Sequence, residues 1–181
     1  MKKIVQDTLD RIYRKFDHEF YLQRSCQPLT LPGSVDEFVK GSNISVVEFY
    51  KSKTCWPSKK WDFHVSKVDR GEFKSEFKTV LLVSKLAPLI HLQHEFRVKN
   101  QAEDQIHPLY GFFEQPFTQT QFRLDELMSG TYSALGYTRL SYAEMNEVVC
   151  DLAFPEGVTI YGPQVTVQYA LFNDFLGLAG D

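Results

Sequence analysis

The feature that most constrains this chain is a change in the period of its apolar residues. Between Val5 and Phe20 the residues Val5, Leu9, Ile12, Phe16 and Phe20 recur every three or four positions, which places them on one side of a helix. From Ile44 the period becomes two and stays so through four successive segments, residues 44–51, 61–68, 77–86 and 89–99. A parallel pair of strands needs a crossover of about a dozen residues or more, usually helical, and the connections here are shorter and carry no helical pattern. The chain is therefore expected to build a largely antiparallel sheet of about five to six strands, in an α+β fold.

Other local signals fill in the order. Pro28 and Pro32 interrupt any helix after the first, Ser34 and Glu37 are spaced as a capping box, and Gly41 is placed as a left-handed helix exit. Residues 79–83 are apolar on both faces and read as a central strand, whereas 89–99 alternate as one buried face and one wet face. A helix is expected over 118–135, ending at Gly136. A second starts at the Ser141–Glu144 capping box, with Leu140 and Met145 as its hydrophobic staple, and runs to Pro155 and Gly157. Residues 158–161 and 165–172 read as closing strands, and the stretches 55–60 and 100–115 as loops available for function. The expectation is one compact domain over 1–181, with an N-terminal helix and two helices before the C-terminal strands.

With 43% hydrophobic residues, 24% charged residues and a formal charge of -3, the chain has the composition of a foldable globular protein rather than a disordered one. No run of about 20 apolar residues marks a membrane span. The charge is uneven: up to Lys85 there are 16 Lys or Arg against 11 Asp or Glu, and after it 4 against 12. Asp7 and Asp10 interrupt the start before a secretory apolar core can develop, so the chain reads as cytoplasmic. Cys26, Cys55 and Cys150 are odd in number and far apart, as free thiols of a reducing compartment would be, with Cys150 a buried, inert thiol. The acceptor pattern Asn43-Ile44-Ser45 needs a secretory route and is set aside.

Four groups of residues bear on function. His91 and His94 have the spacing of two metal ligands on a helix, but on a strand they point to opposite faces. That leaves His94 as a hydrogen-bonded core histidine and His91 on the polar side, where His64 is a conceivable neighbour. The segment 51–60 and Trp61 combine Lys51, Lys53, Lys59 and Lys60 with Trp56 and Trp61, side chains that serve a protein interface or stack on and neutralise a nucleic acid. Phe112 and Phe113, with Tyr110, Phe117 and Phe122, form an aromatic run suited to an apolar pocket or a protein-binding ridge. Glu144, Glu147 and Asp151 are expected as an acidic row on the last helix.

No nucleotide-binding, zinc-protease or nucleophile-elbow motif occurs, and Ser75-Glu-Phe-Lys78 leads into a strand rather than the helix its S-x-x-K chemistry needs. The leading expectation is a non-enzymatic protein-binding module of the inhibitor or immunity kind, without cofactor, metal or membrane association. Its binding residues are drawn from Trp56, Lys59, Lys60, Trp61, Phe112, Phe113, His91 and His94. The alternative is a small-molecule site or enzyme with an aromatic pocket that uses His91 or His94. A third is nucleic-acid binding through the basic 51–60 loop, which the acidic whole chain disfavours.

Overall fold

The structure, a computed structural model, describes residues 1–50, 55–100, 108–154, 156, 164–174 and 177. The four period-two segments form β1 Ser45–Phe49, β2 Ser58–Arg70, β3 Phe73–Ser84 and β4 Leu89–Asn100, joined edge to edge as successive antiparallel neighbours. β5 Leu109–Phe113 continues the order along β4, and the three-residue β6 Thr138–Leu140 pairs with the start of β4 in parallel. The helices are α1 Lys3–Leu9, α2 His18–Ser25, α3 Gly33–Gly41, α4 Gln119–Ala134, α5 Tyr142–Met145 and α6 Val167–Phe172. This is the expected α+β architecture, with β3 paired on both sides.

Both faces of the sheet are covered. Even-numbered residues of β4 and their neighbours face α3 and α4, burying Trp61, Phe63, Leu81, Val83, Ile90 and Leu92 against Val35, Val39, Leu124, Met128 and Tyr132. The opposite face, at the beginning of β4, packs Leu86 and Leu89 with Val5, Leu9 and Ile12 of the N-terminal segment and with Leu140, Met145, Val167, Leu171 and Phe172. The odd-numbered side of β4 is therefore not simply wet. Leu89 and His91 are as buried as the residues facing α4, because a second layer of helices closes over that end.

Several local expectations are corrected by contacts made at a distance. The first helix does not run to Phe20. After α1 the backbone widens into a π-helical turn, Asp10–Arg14, and Phe16 turns left-handed at φ +53. Asp17 then caps α2 by accepting the Phe20 N–H, and Phe16 stands exposed. α3 starts after Pro32 without a side-chain cap, so Ser34 and Glu37 form no box there; Asn43, not Gly41, makes the left-handed exit at φ +54.

The last part of the chain departs furthest. The helix at Ser141 keeps its capping box but ends at Met145. The backbone beyond it is taken up by residues before α6, with Val149 N–H donating to the Val165 carbonyl and Val167 N–H to that of Glu147. Glu144, Glu147 and Asp151 thus do not share one helix. Residues 165–172, expected as a strand, contain α6 instead; those of 158–161 lie outside the described residues. α6 is held by buried hydroxyls that satisfy its carbonyls: Tyr13 donates to Ala170 (2.6 Å), Ser84 to Leu171 (2.8 Å) and Ser58 to Phe172 (2.6 Å). A six-residue apolar helix shows no legible period of its own.

Cys26 and Cys55 form a disulfide and Cys150 is exposed, which corrects the expectation of three free thiols and a buried Cys150. The bridge ties the end of α2 to the approach of β2, where the Trp56 N–H and the Lys85 ammonium both donate to the Ser25 carbonyl. The uneven charge is partly resolved by pairing across the two halves: Lys2 meets Glu144 at 2.9 Å and Arg14 meets Asp151 at 3.8 Å.

Candidate functional site

One edge of β4 is divided between two strands. β5 pairs with His94 to Val98, and β6 with Leu89 to His91, leaving Leu92 and Gln93 between them without a strand neighbour on that side. A cavity of about 380 Å³ opens at this division, lined by His91, Gln93, Phe112, Phe113, Glu114 and Tyr142, with Ala143 beside them.

Each wall has a local cause. β5 lies close to β4 because Gly111 sits under the Phe96 ring; a Cβ there would come within 2.1 Å of Phe96 Cε1. Phe112 then falls on the cavity side, and its ring lies 5.4 Å from that of Tyr142 at a tilt of 46°. Tyr142 is held at the first turn of α5 by the Ser141–Glu144 box, and its backbone N–H donates to the Glu114 carboxylate. The two sides of the cavity are thus joined by one ring contact and one hydrogen bond.

His91 is 97% buried at the floor. Its Nδ1 lies 2.9 Å from the Leu140 carbonyl, which can only accept, so Nδ1 carries the hydrogen. Burial pushes the imidazole below the ordinary histidine range. The Leu140 hydrogen bond, the Glu114 charge and a hydrogen bond with the Gln93 side chain oppose this, while the Arg139 charge adds to it. A neutral ring in this tautomer presents Nε2 as a hydrogen-bond acceptor.

His94 points to the other face, as its strand position required, and is fully buried. Its Nδ1 is 3.0 Å from Thr79 Oγ1 and its Nε2 donates to Asp125 Oδ2 at 2.9 Å; Asp125 also accepts from Arg139 (2.8 Å). Hydroxyl, imidazole and carboxylate in a row resemble a nucleophilic triad, but Thr79 and His94 have no exposed surface to offer a substrate. The row joins β3, β4, α4 and β6. His64 pairs with Ser45 and Lys78, whereas His91 pairs with Leu82 and Leu140, so these two histidines do not meet.

The remaining expected residues lie apart from the cavity. Trp61 is in the core, Lys59 is paired with Glu48 (2.5 Å), and Lys60 lies over the Phe49 ring and 3.5 Å from Asp62. Trp56 stacks on Tyr50 with ring centroids 4.8 Å apart, and Lys51 and Lys53 are outside the described residues. Phe112 and Phe113 do join His91, in a strand where a loop was expected. Gln93, Glu114 and Tyr142 were missed. Their only sequence signal is the glycine flanked by aromatic residues at 110–113, which marks a close approach of two backbones.

Among the described residues no three His, Cys, Asp or Glu side chains converge as a metal site, and no helix is long and apolar enough to cross a membrane. No protein-family model, curated protein or solved structure matches this chain.

Proposed function

We propose that this protein is a non-enzymatic binding module that engages another protein through β5 and the aromatic side chains around it, in the manner of an inhibitor or immunity protein. One observation carries the reading. β5 ends the main strand order of the sheet, and Leu109, Tyr110, Phe112 and Phe113 are each more than half exposed, on both of its faces. An edge strand with apolar side chains invites an added strand or a flat apolar partner surface, and soluble proteins ordinarily blunt such edges with charge. Phe117, Phe122 and Tyr142, all partly exposed, extend the apolar area around it. The basic 51–60 loop supports nucleic-acid binding less well, since Trp61 is internal and Lys59 and Lys60 are occupied. The cytoplasm remains the proposed compartment, and the Cys26–Cys55 bridge is the observation that pulls toward an oxidising one.

Affinity capture with the immobilised wild-type protein, the Phe112→Ala/Phe113→Ala variant and the Trp56→Ala variant tests the reading. One protein should be retained in stoichiometric amount by wild type and Trp56→Ala and lost from the double variant. An identical retained set on wild type and the double variant would overturn it.

A further inference from the structure

We infer that the cavity at the divided edge of β4 binds the trimethylammonium group of a small organic cation, with the rings of Phe112, Phe113 and Tyr142 against its methyl groups and the Glu114 carboxylate facing its charge. The inference goes beyond protein binding and does not depend on it.

The positive charge of the ligand follows from Glu114. Among the described residues no ion pair is made with this carboxylate. Lys2 and Arg139, which share a second cavity with it, are held instead by Glu144 (2.9 Å) and Asp125 (2.8 Å). The donor that Glu114 does meet is the backbone N–H of Tyr142, which is neutral. His91 brings no opposing charge near neutral pH, since burial holds its imidazole below the ordinary histidine range. The cavity wall is thus negative where it is charged at all, so it favours a cation and turns an anion away.

Methylation of that cation follows from the rest of the lining. The faces of aromatic rings carry the negative end of a quadrupole and attract a cation placed over them. Phe112, Phe113 and Tyr142 are each roughly half exposed, and the Phe112 and Tyr142 rings are inclined to one another, so two aromatic surfaces meet one ligand. A bare ammonium would bring three N–H donors, each in need of an acceptor. The polar groups of the cavity are largely engaged already: His91 with Leu140 and Gln93, Gln93 with Glu95 as well, and Glu114 with Tyr142. A trimethylated nitrogen needs no acceptor and presents methyl groups to apolar walls. A volume of about 380 Å³, near the lower end of ligand pockets, suits such a group with a short tail rather than a nucleotide.

The test is a titration of the full chain, followed by ligand-detected NMR, with choline, with 2-aminoethanol and with 3,3-dimethylbutan-1-ol, which has the shape of choline without its charge. Choline should bind saturably, and each of the other two about tenfold more weakly or worse. Glu114→Gln keeps an oxygen for the Tyr142 N–H while removing the charge, and should weaken choline by a similar factor. Phe112→Leu keeps apolar bulk without a ring face; it should weaken choline severalfold and leave the uncharged alcohol unchanged. Absence of saturable choline binding, equal binding of choline and the alcohol, or unchanged choline binding by Glu114→Gln would each overturn the inference. Phosphatidylcholine vesicles present the same group on a lipid, where the adjoining phosphate would approach Glu114, so wild type should stay in the supernatant when they are sedimented. Cosedimentation that is lost with Glu114→Gln would overturn the assignment to a free small molecule. No protein partner is present in the titration and Glu114 is not among the aromatic residues of the capture experiment, so either reading can fail while the other stands.

Discussion

His94 Nε2 and Asp125 Oδ2 stand 2.9 Å apart where β4 meets α4, and the same carboxylate holds Arg139 at the start of the divided edge. Burial alone would raise the Asp125 pKa, but the bonds from His94 and Arg139 outweigh it and hold the carboxyl below its usual range. Asp125→Ala leaves a buried imidazole N–H and a guanidinium without their acceptor and should destabilise the fold by about 2–3 kcal/mol, with Asp125→Asn losing less. Urea unfolding of the three proteins measures this; equal stabilities would show that the row contributes nothing.

Gly111 and Phe96 occupy facing positions of β5 and β4. Gly111→Ala forces the Phe96 ring off its site against Phe117, to which it is packed edge-on at 4.9 Å, and should cost about 1–3 kcal/mol. Introduced into a Phe96→Ala background, the same change should cost much less. A double-mutant cycle reads the coupling, and additive effects would contradict the close approach.

The Cys26–Cys55 bridge closes a loop with a sequence separation of 29 residues. In the chain-entropy account such a loop adds about 3.5 kcal/mol of stability. Thermal unfolding of a Cys150→Ser protein should shift to lower temperature on reduction, and that of Cys26→Ser/Cys55→Ser should be low and indifferent to reductant.

Acidification should weaken the fold through His91. Its pKa lies below the unfolded value of 6.5, so the unfolded chain takes up a proton that the native state resists. The stability is complete above that value and declines as pH falls from it toward the native pKa. Glu114 moderates the effect and Arg139 reinforces it. Asp125, with its lowered pKa, acts only below about pH 4. Stability measured at about pH 7.5 and about pH 5 should fall more for wild type than for His91→Gln, and parallel losses would remove His91 from the account.

Elements whose side-chain pattern is set within a few residues were legible from the start. β1 to β4 follow from alternation, α4 and its exit at Gly136 from the period and the glycine, and the start of α5 from the Ser141–Glu144 box. The opposite orientations of His91 and His94 followed from the strand period as well. The candidate site is legible in part: the alternative reading joins an aromatic pocket to His91 or His94, but Gln93, Glu114 and Tyr142 are not among its residues.

The sequence by itself determined the α+β class and the largely antiparallel order, because the period of apolar residues and the length of connections are local properties. Only the tertiary structure decided that residues 167–172 coil as a helix, that Cys26 reaches Cys55, and that β5 and β6 share one edge of β4 and leave a cavity over His91. Each of these rests on partners far along the chain. The carbonyls of α6 take the hydroxyls of Tyr13, Ser58 and Ser84, and His91 is bonded to the Leu140 carbonyl and shares its cavity with Tyr142, so no window of neighbouring residues carries the signal.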